Sequence, residues 1–162
     1  MSFNGFIGVA GTGIKFNGEV YSWGSNDYGD FGNGRSKYNN DQSIDLVQPI
    51  SYKPIKTHDD FKSISGLAGI TVGITHNNEL YAWGLFSSFF NGNVTLGNGE
   101  SNGSRTPVLI TSNVKDFFIT SLGVFYYDLN GDLYGWGNVV QIKNDNNPIT
   151  YYTPVLIEKS YI

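Results

Sequence analysis

The sequence predicts an all-β chain of three antiparallel blades, and three observations carry that reading. The octet Asn17-Gly18-Glu19-Val20-Tyr21-Ser22-Trp23-Gly24 returns as Asn77-Asn78-Glu79-Leu80-Tyr81-Ala82-Trp83-Gly84, and again as Asn130-Gly131-Asp132-Leu133-Tyr134-Gly135-Trp136-Gly137. All three tryptophans hold one place in the octet, 60 residues apart from 23 to 83 and 53 apart from 83 to 136, a period that belongs to stacked or radially arranged units. Each copy is also two alternating runs joined by Asn-Gly or Asn-Asn, which is the pattern of a hairpin.

Within the unit, Asn-Gly tolerates positive φ at both central positions of a type I′ turn, so the hairpins are expected to turn at Asn17-Gly18, Asn77-Asn78 and Asn130-Gly131. In the strand that follows, Tyr21 and Trp23 point to one face and Val20 and Ser22 to the other, because side chains alternate with period two. A strand loaded on both faces and closed by Gly24, Gly84 or Gly137 belongs in the middle of a sheet, with neighbouring sheets packed on each side. The three tryptophans are therefore expected at equivalent, largely buried positions, and no helix longer than two turns is expected anywhere.

A hairpin ending in Val/Leu-Tyr-x-Trp-Gly, then a Gly-x-Gly loop and a Thr-Pro-Val strand, resembles the repeat of the regulator of chromosome condensation family. The first unit carries Asn26-Asp27-Tyr28-Gly29-Asp30-Phe31-Gly32-Asn33-Gly34, with Asp30 and Phe31 where that family has Gln and Leu. The second keeps Leu96-Gly97-Asn98-Gly99 after an altered lead-in from Phe86 to Val94. The third keeps the hairpin and Thr153-Pro154-Val155 around a Gly-free loop from Asn138 to Tyr152. The resemblance implies four-stranded propeller blades. The family's full propeller has seven, so three imply a partial propeller or one completed by other subunits.

Taken in order, the units fall at about 1–60, 61–113 and 114–162. Met1 to Ala10 aligns with the segment Ile64 to Ile70 and is expected as the innermost strand of the first blade, where small residues let crowded backbones approach. The stretch has no basic region and is broken by Gly5 and Gly8, so it does not read as a signal peptide. Ser36 to Val47 is a polar surface excursion, after which Gln48-Pro49-Ile50 takes the part of Thr106-Pro107-Val108 and Thr153-Pro154-Val155. The doublets Phe89-Phe90, Phe117-Phe118, Tyr126-Tyr127 and Tyr151-Tyr152 place one ring on each side of a strand. Either both faces are buried between blades, or one ring is presented to a partner or a sugar. The last strand, Val155-Leu156-Ile157, leaves no lap joint between the termini, and open end faces are expected.

Few residues group in a pattern that chemistry would need. Asp128-Leu129-Asn130-Gly131-Asp132 begins like a calcium loop but has Leu133 and Val139 where Gly and a bidentate Glu are needed. The two histidines, His58 and His76, have no cysteine and no repeated carboxylate spacing beside them, so no zinc site or nucleophile triad can be assembled. His58-Asp59-Asp60 reads either as an acid/base cluster or as a solvated turn. Gly32-Asn33-Gly34 and Gly97-Asn98-Gly99 lack the Lys-Ser/Thr of a phosphate loop. Asn93-Val94-Thr95 and Asn102-Gly103-Ser104 match the glycosylation triplet, which arises readily in a chain rich in Asn, Ser and Thr.

A net charge of −4 without a Lys/Arg run is a poor footprint for nucleic acid, and no apolar stretch is long enough to span a membrane as a helix. The residues thus point to a non-enzymatic protein-interaction and assembly module without cofactors, a component of a larger particle such as a phage or virus tail, fibre or capsid decoration, working with protein partners or copies of itself. A glycan-binding lectin is the alternative. Nucleotide exchange, the founding activity of the family that the chain resembles, requires a full propeller face and a basic region.

Overall fold

A computed structural model describes residues 2–4, 11–37, 50–67, 69–84, 95–121, 123–137 and 150–161, the first of these by backbone alone. Twelve strands run in chain order: β1 (Ser2–Asn4), β2 (Gly11–Ile14), β3 (Val20–Ser25), β4 (Ile50–His58), β5 (Phe61–Leu67), β6 (Ile70–Thr75), β7 (Leu80–Gly84), β8 (Ser104–Thr111), β9 (Val114–Ile119), β10 (Gly123–Asp128), β11 (Leu133–Gly137) and β12 (Tyr151–Glu158). They form three four-stranded antiparallel meanders, β1–β4, β5–β8 and β9–β12, each strand pairing only with its neighbours in sequence. No helix occurs among the described residues. These are three blades of a partial propeller. The edge strands β5 and β9 approach one another, and β1 holds the same edge of its own sheet.

The hairpins form where expected, with a different turn. Strand pairing ends at Ile14↔Val20, Ile74↔Leu80 and Tyr127↔Leu133. Beyond it Lys15 N donates to Glu19 O at 2.9 Å and Gly18 N to Lys15 O at 2.9 Å, and Thr75/Asn78 and Asp128/Gly131 repeat the arrangement. The turn is thus centred on Phe16-Asn17, His76-Asn77 and Leu129-Asn130, and only the third loop residue is left-handed: Gly18 at φ 85°, Asn78 at 62° and Gly131 at 89°. This is a type I turn followed by a left-handed residue, the three-residue hairpin, and not the two-residue type I′. The closing glycines Gly24, Gly84 and Gly137 also have positive φ, 87°, 96° and 92°. A Cβ on Gly84 would fall 2.1 Å from the Gly69 carbonyl oxygen, which excludes other residues there.

Both faces of the middle strands are used. Tyr81 and Trp83 of β7 join Phe61 and Ile64 against Ile14 and Val20 of the first blade. Leu80 and Ala82, on the other side of the same strand, join Ile70, Val72, Ile74 and Leu96 against Val114, Val124, Tyr126 and Trp136 of the third. The core is therefore distributed between blades, and each blade is stabilised by its neighbour.

Two expectations need correction. Register equates Ile55, opposite Ser22, with Val108 opposite Ala82 and Val155 opposite Gly135, so Lys53-Pro54-Ile55 takes the part assigned to Gln48-Pro49-Ile50. Two Pro-Ile pairs stand five residues apart, and only the pairing distinguishes them; Ile50 instead lies opposite Ser25. Trp83 and Trp136 are 1% and 0% exposed, but Trp23 is half-buried. Of the doublets, Phe117 and Tyr126 turn inward, while Phe118 and Tyr127 stay 42% and 40% exposed, so one ring of each is presented. Phe89-Phe90, Asn93-Val94 and most of the three inter-strand loops lie outside the described residues.

Candidate functional site

Blades are joined by a hook that the loop after each Trp strand supplies to the next blade. In the first loop Asn26 is fully buried, donating through Nδ2 to Arg35 O at 2.9 Å and accepting at Oδ1 from Phe31 N at 3.0 Å. This curl buries Phe31 and aims the Asp30 carbonyl at the second blade, where Trp83 Nε1 donates to it at 2.9 Å and Thr71 Oγ1 at 3.1 Å. Gly32 lies under the indole, and a Cβ there would fall 2.7 Å from Trp83 Nε1. Gly34 N then donates to Arg105 O at 2.8 Å. The second loop repeats the hook with different residues: Trp136 Nε1 donates to Thr95 O at 3.0 Å, Gly97 lies under the indole, and Gly99 N donates to Tyr152 O at 2.8 Å. The Trp23 indole lies across Gly11 of its own blade.

The hairpin ends add a second seam. Phe61 N donates to Gly18 O and Val114 N to Asn78 O, while His76 N donates to Asp60 O and Leu129 N to Asn113 O, at 2.8–3.2 Å. Asp60 and Asn113 take positive φ, 70° and 63°, to make that approach. Of the repeated positions, Gly18 supplies a seam carbonyl, Asn17, Asn77, Asn130 and Gly131 lie in the hairpin loops, Tyr21, Tyr81 and Tyr134 lie on the strand face of the tryptophans, and Gly84 and Gly137 end their strands while Gly24 precedes the last residue of β3.

Among the described residues the titratable groups singled out in the sequence do not converge on one centre. His58, Asp59 and Asp60 point to three places: His58 Nε2 contacts Phe31 O at 3.1 Å, Asp59 pairs with Lys56 at 2.8 Å, and Asp60 with His76 at 3.1 Å. Burial lowers the His58 pKa and favours its neutral ring. Glu19, bonded first by Lys56 and then by Lys15 and Asn17, is held at about 2. Lys56 is raised in turn by Asp59 and Glu19, and Lys15, which lies over the Tyr21 ring, by Tyr21 and Glu19. Asp30 is the exception in kind: burial lifts its carboxyl from 3.8 to about 6 against the bond it accepts from Tyr28 N. Asp128 Oδ1 accepts from Asn130 N and Asp132 N, both at 2.9 Å, and so is committed to its turn. Among the described residues no group of three or more acidic or His side chains is placed to hold a metal, and no helix is long and apolar enough to cross a membrane.

Two surfaces remain. On the far side of the third blade Phe118 stacks on Phe125 at 5.1 Å and 12°, with Tyr127 beside them, Gly135 behind Phe125, and Ile157 against Gly135. By register Phe125, Tyr127 and Gly135 take the places of Val72, Ile74 and Ala82, which the second blade buries against the third, and Phe118 that of the half-buried Ser65. The far side of the first blade carries Gly11, Gly13, Tyr21 and Trp23 with the Lys15–Glu19–Lys56 ion pairs at its rim.

Residues 17–69 match the model of the regulator of chromosome condensation (RCC1) repeat. The chain is 31% identical over 146 residues to the E3 ubiquitin-protein ligase HERC2 of Homo sapiens, a match covering 86% of this chain and 3% of the ligase. It is 31% identical over 123 residues to the ultraviolet-B receptor UVR8 of Arabidopsis thaliana, covering 74% of this chain and 25% of the receptor. The chain thus spans a small part of these relatives. Among solved structures, human WBSCR16 superposes with a TM-score of 0.69 at 18% identity, over 94% of this chain and 38% of that one. Yeast RCC1 (Prp20) bound to Kap60 does so at 0.63 and 17%, over 93% and 35%. Repeat, blade and relatives agree that this is a chain of regulator of chromosome condensation repeats.

Proposed function

We propose that the chain is a non-enzymatic protein-interaction segment whose outer blade faces are covered by a further blade, the simplest source being a second copy. The observation that carries this is the far face of the third blade, where Tyr127, 40% exposed, takes the place of Ile74, which the second blade buries against the third, and Phe118 beside it is 42% exposed. At about 25 cal/mol per Å², a few hundred Å² of such surface forgoes several kcal/mol. Protein partners are in keeping with the fold, since yeast RCC1 is seen bound to Kap60 and is described as binding Gsp1p and histones. In this reading the repeated Asn, Gly, Tyr and Trp positions are joints between units bordered near residues 60 and 113. The ligase, the receptor and the propellers named above carry no support toward a phage or virus particle.

Sedimentation velocity over a wide concentration range tests the reading. The expected result is a concentration-dependent rise above monomer mass, and Phe118→Asp with Tyr127→Asp should return the protein to monomer with unchanged circular dichroism. A species that stays monomeric throughout while folding cooperatively would sink the self-association.

A further inference from the structure

The two blade junctions follow one plan and are filled differently. At the first, the His58 ring stands 5.1 Å from Trp83 and 6.1 Å from Phe61, and Phe61 lies over Gly73, where a Cβ would fall 2.6 Å from its ring. Strand register puts Thr111 in the place of His58, Val114 in that of Phe61 and Tyr126 in that of Gly73. Two small side chains thus replace two rings, and the added tyrosine stacks on Tyr134 with centroids 5.2 Å apart and planes within 8°. What opens is a cleft of about 450 Å³ lined by Thr111, Ser112, Asn113, Tyr126, Asn130 and Tyr134, a size common for small-molecule sites. Its floor is closed by Tyr126, 5% exposed, and its rim is formed by the exposed Ser112, Asn113 and Asn130 and by Leu129.

The lining selects a ligand class. It offers four hydroxyls, two side-chain amides and an aromatic wall, with no Lys or Arg. The carboxylate of Asp128 also lines the cleft, but its Oδ1 is taken by two backbone N–H groups and its Oδ2 accepts from Asn130 Nδ2 at 3.2 Å. Burial raises the Tyr126 pKa against the hydrogen bond its hydroxyl shares with Thr111, so the phenol stays neutral and the Tyr126–Thr111 pair presents hydroxyls to the cleft. An anion finds no counter-charge there, and a wholly apolar ligand would take the polar rim out of water without replacing the hydrogen bonds it makes to water. A pyranose ring satisfies both demands, because its C–H face packs on an aromatic ring while its hydroxyls donate to and accept from hydroxyls and amides.

We propose that the cleft between the second and third blades binds a neutral pyranose sugar, either free or as the terminal unit of a glycan. Saturation-transfer NMR with glucose, galactose and N-acetylglucosamine, beside a glycan array, tests this and separates the two sources. At least one free sugar or one array glycan should bind saturably. Tyr126→Phe, which keeps the ring and removes one hydroxyl, should weaken that binding by about tenfold. Thr111→His, which supplies the ring that fills the first junction, should abolish it while unfolding remains cooperative. Absence of binding to all three sugars and to the array would overturn the proposal, as would a folded Thr111→His protein that binds like the parent.

Discussion

Trp83→Ala and Trp136→Ala should each lower the stability of the chain by about 3–5 kcal/mol, a large share of the 5–15 kcal/mol typical of a domain. Each substitution removes a fully buried indole that spans two blades, and each leaves a loop carbonyl, Asp30 or Thr95, without its N–H donor. Trp23→Ala should cost distinctly less, because that ring is half-buried and packs on Gly11 of its own blade. Trp83→Phe and Trp136→Phe separate packing from hydrogen bonding: most of the buried surface survives and the N–H bond does not, so a loss of about 1–2 kcal/mol is expected. Equilibrium unfolding in guanidinium chloride reads all five. If Trp23→Ala proved as costly as the other two alanine variants, the difference in burial could not be what sets the cost.

The hook also shows what could be read from the residues alone. One tryptophan per unit, followed by glycine, was enough to place the three middle strands and both of their faces, since period-two alternation leaves no other arrangement for Val20-Tyr21-Ser22-Trp23. The turn was not legible to the same degree. Asn-Gly satisfies both a two-residue turn and the last two positions of a three-residue one, and the choice rests on whether Phe16 lies in the loop or on the strand. Exposure of Phe16 and Leu129 follows from that choice, since both sit at turn tips. The cleft was less legible still. It depends on Thr111 matching His58, a correspondence hidden by the uneven lengths of the loops before β4 and β8, and it becomes visible only once Leu80↔Thr111 and Val20↔His58 are known to be equivalent pairs. The doublet Tyr126-Tyr127 did signal an aromatic surface there, although not which ring would face the junction.

Asp30→Asn should stabilise the protein above about pH 6 by about 3 kcal/mol and do much less near pH 4. The family that the repeat belongs to has glutamine at this position of the loop, and this chain instead buries a carboxyl on the segment whose carbonyl holds Trp83. Burial raises its pKa from 3.8 to about 6, so the native state keeps a proton that the unfolded chain would release. The contribution of the protonated form is fully present below pH 3.8 and is lost as the pH rises through about 6; the gap converts to about 3 kcal/mol. Asparagine carries no charge at any of these pH values, and its carbonyl can still accept from Tyr28 N. Two other groups near this loop must be kept apart from the effect. Asp27 raises Asp30 slightly by like charge, and His58, which contacts Phe31 O and whose pKa is lowered by burial, acts with the opposite pH sense, since stability falls as it is forced to protonate below its ordinary 6.5. Because parent and variant share His58, the difference between their stability curves from pH 4 to 8 isolates Asp30 to the extent that the two groups titrate independently. That difference should grow between pH 4 and 6 and level off above it. A flat difference would show that the carboxyl is ionised in the folded protein without cost and that the first hook tolerates a charge as readily as the neutral residue.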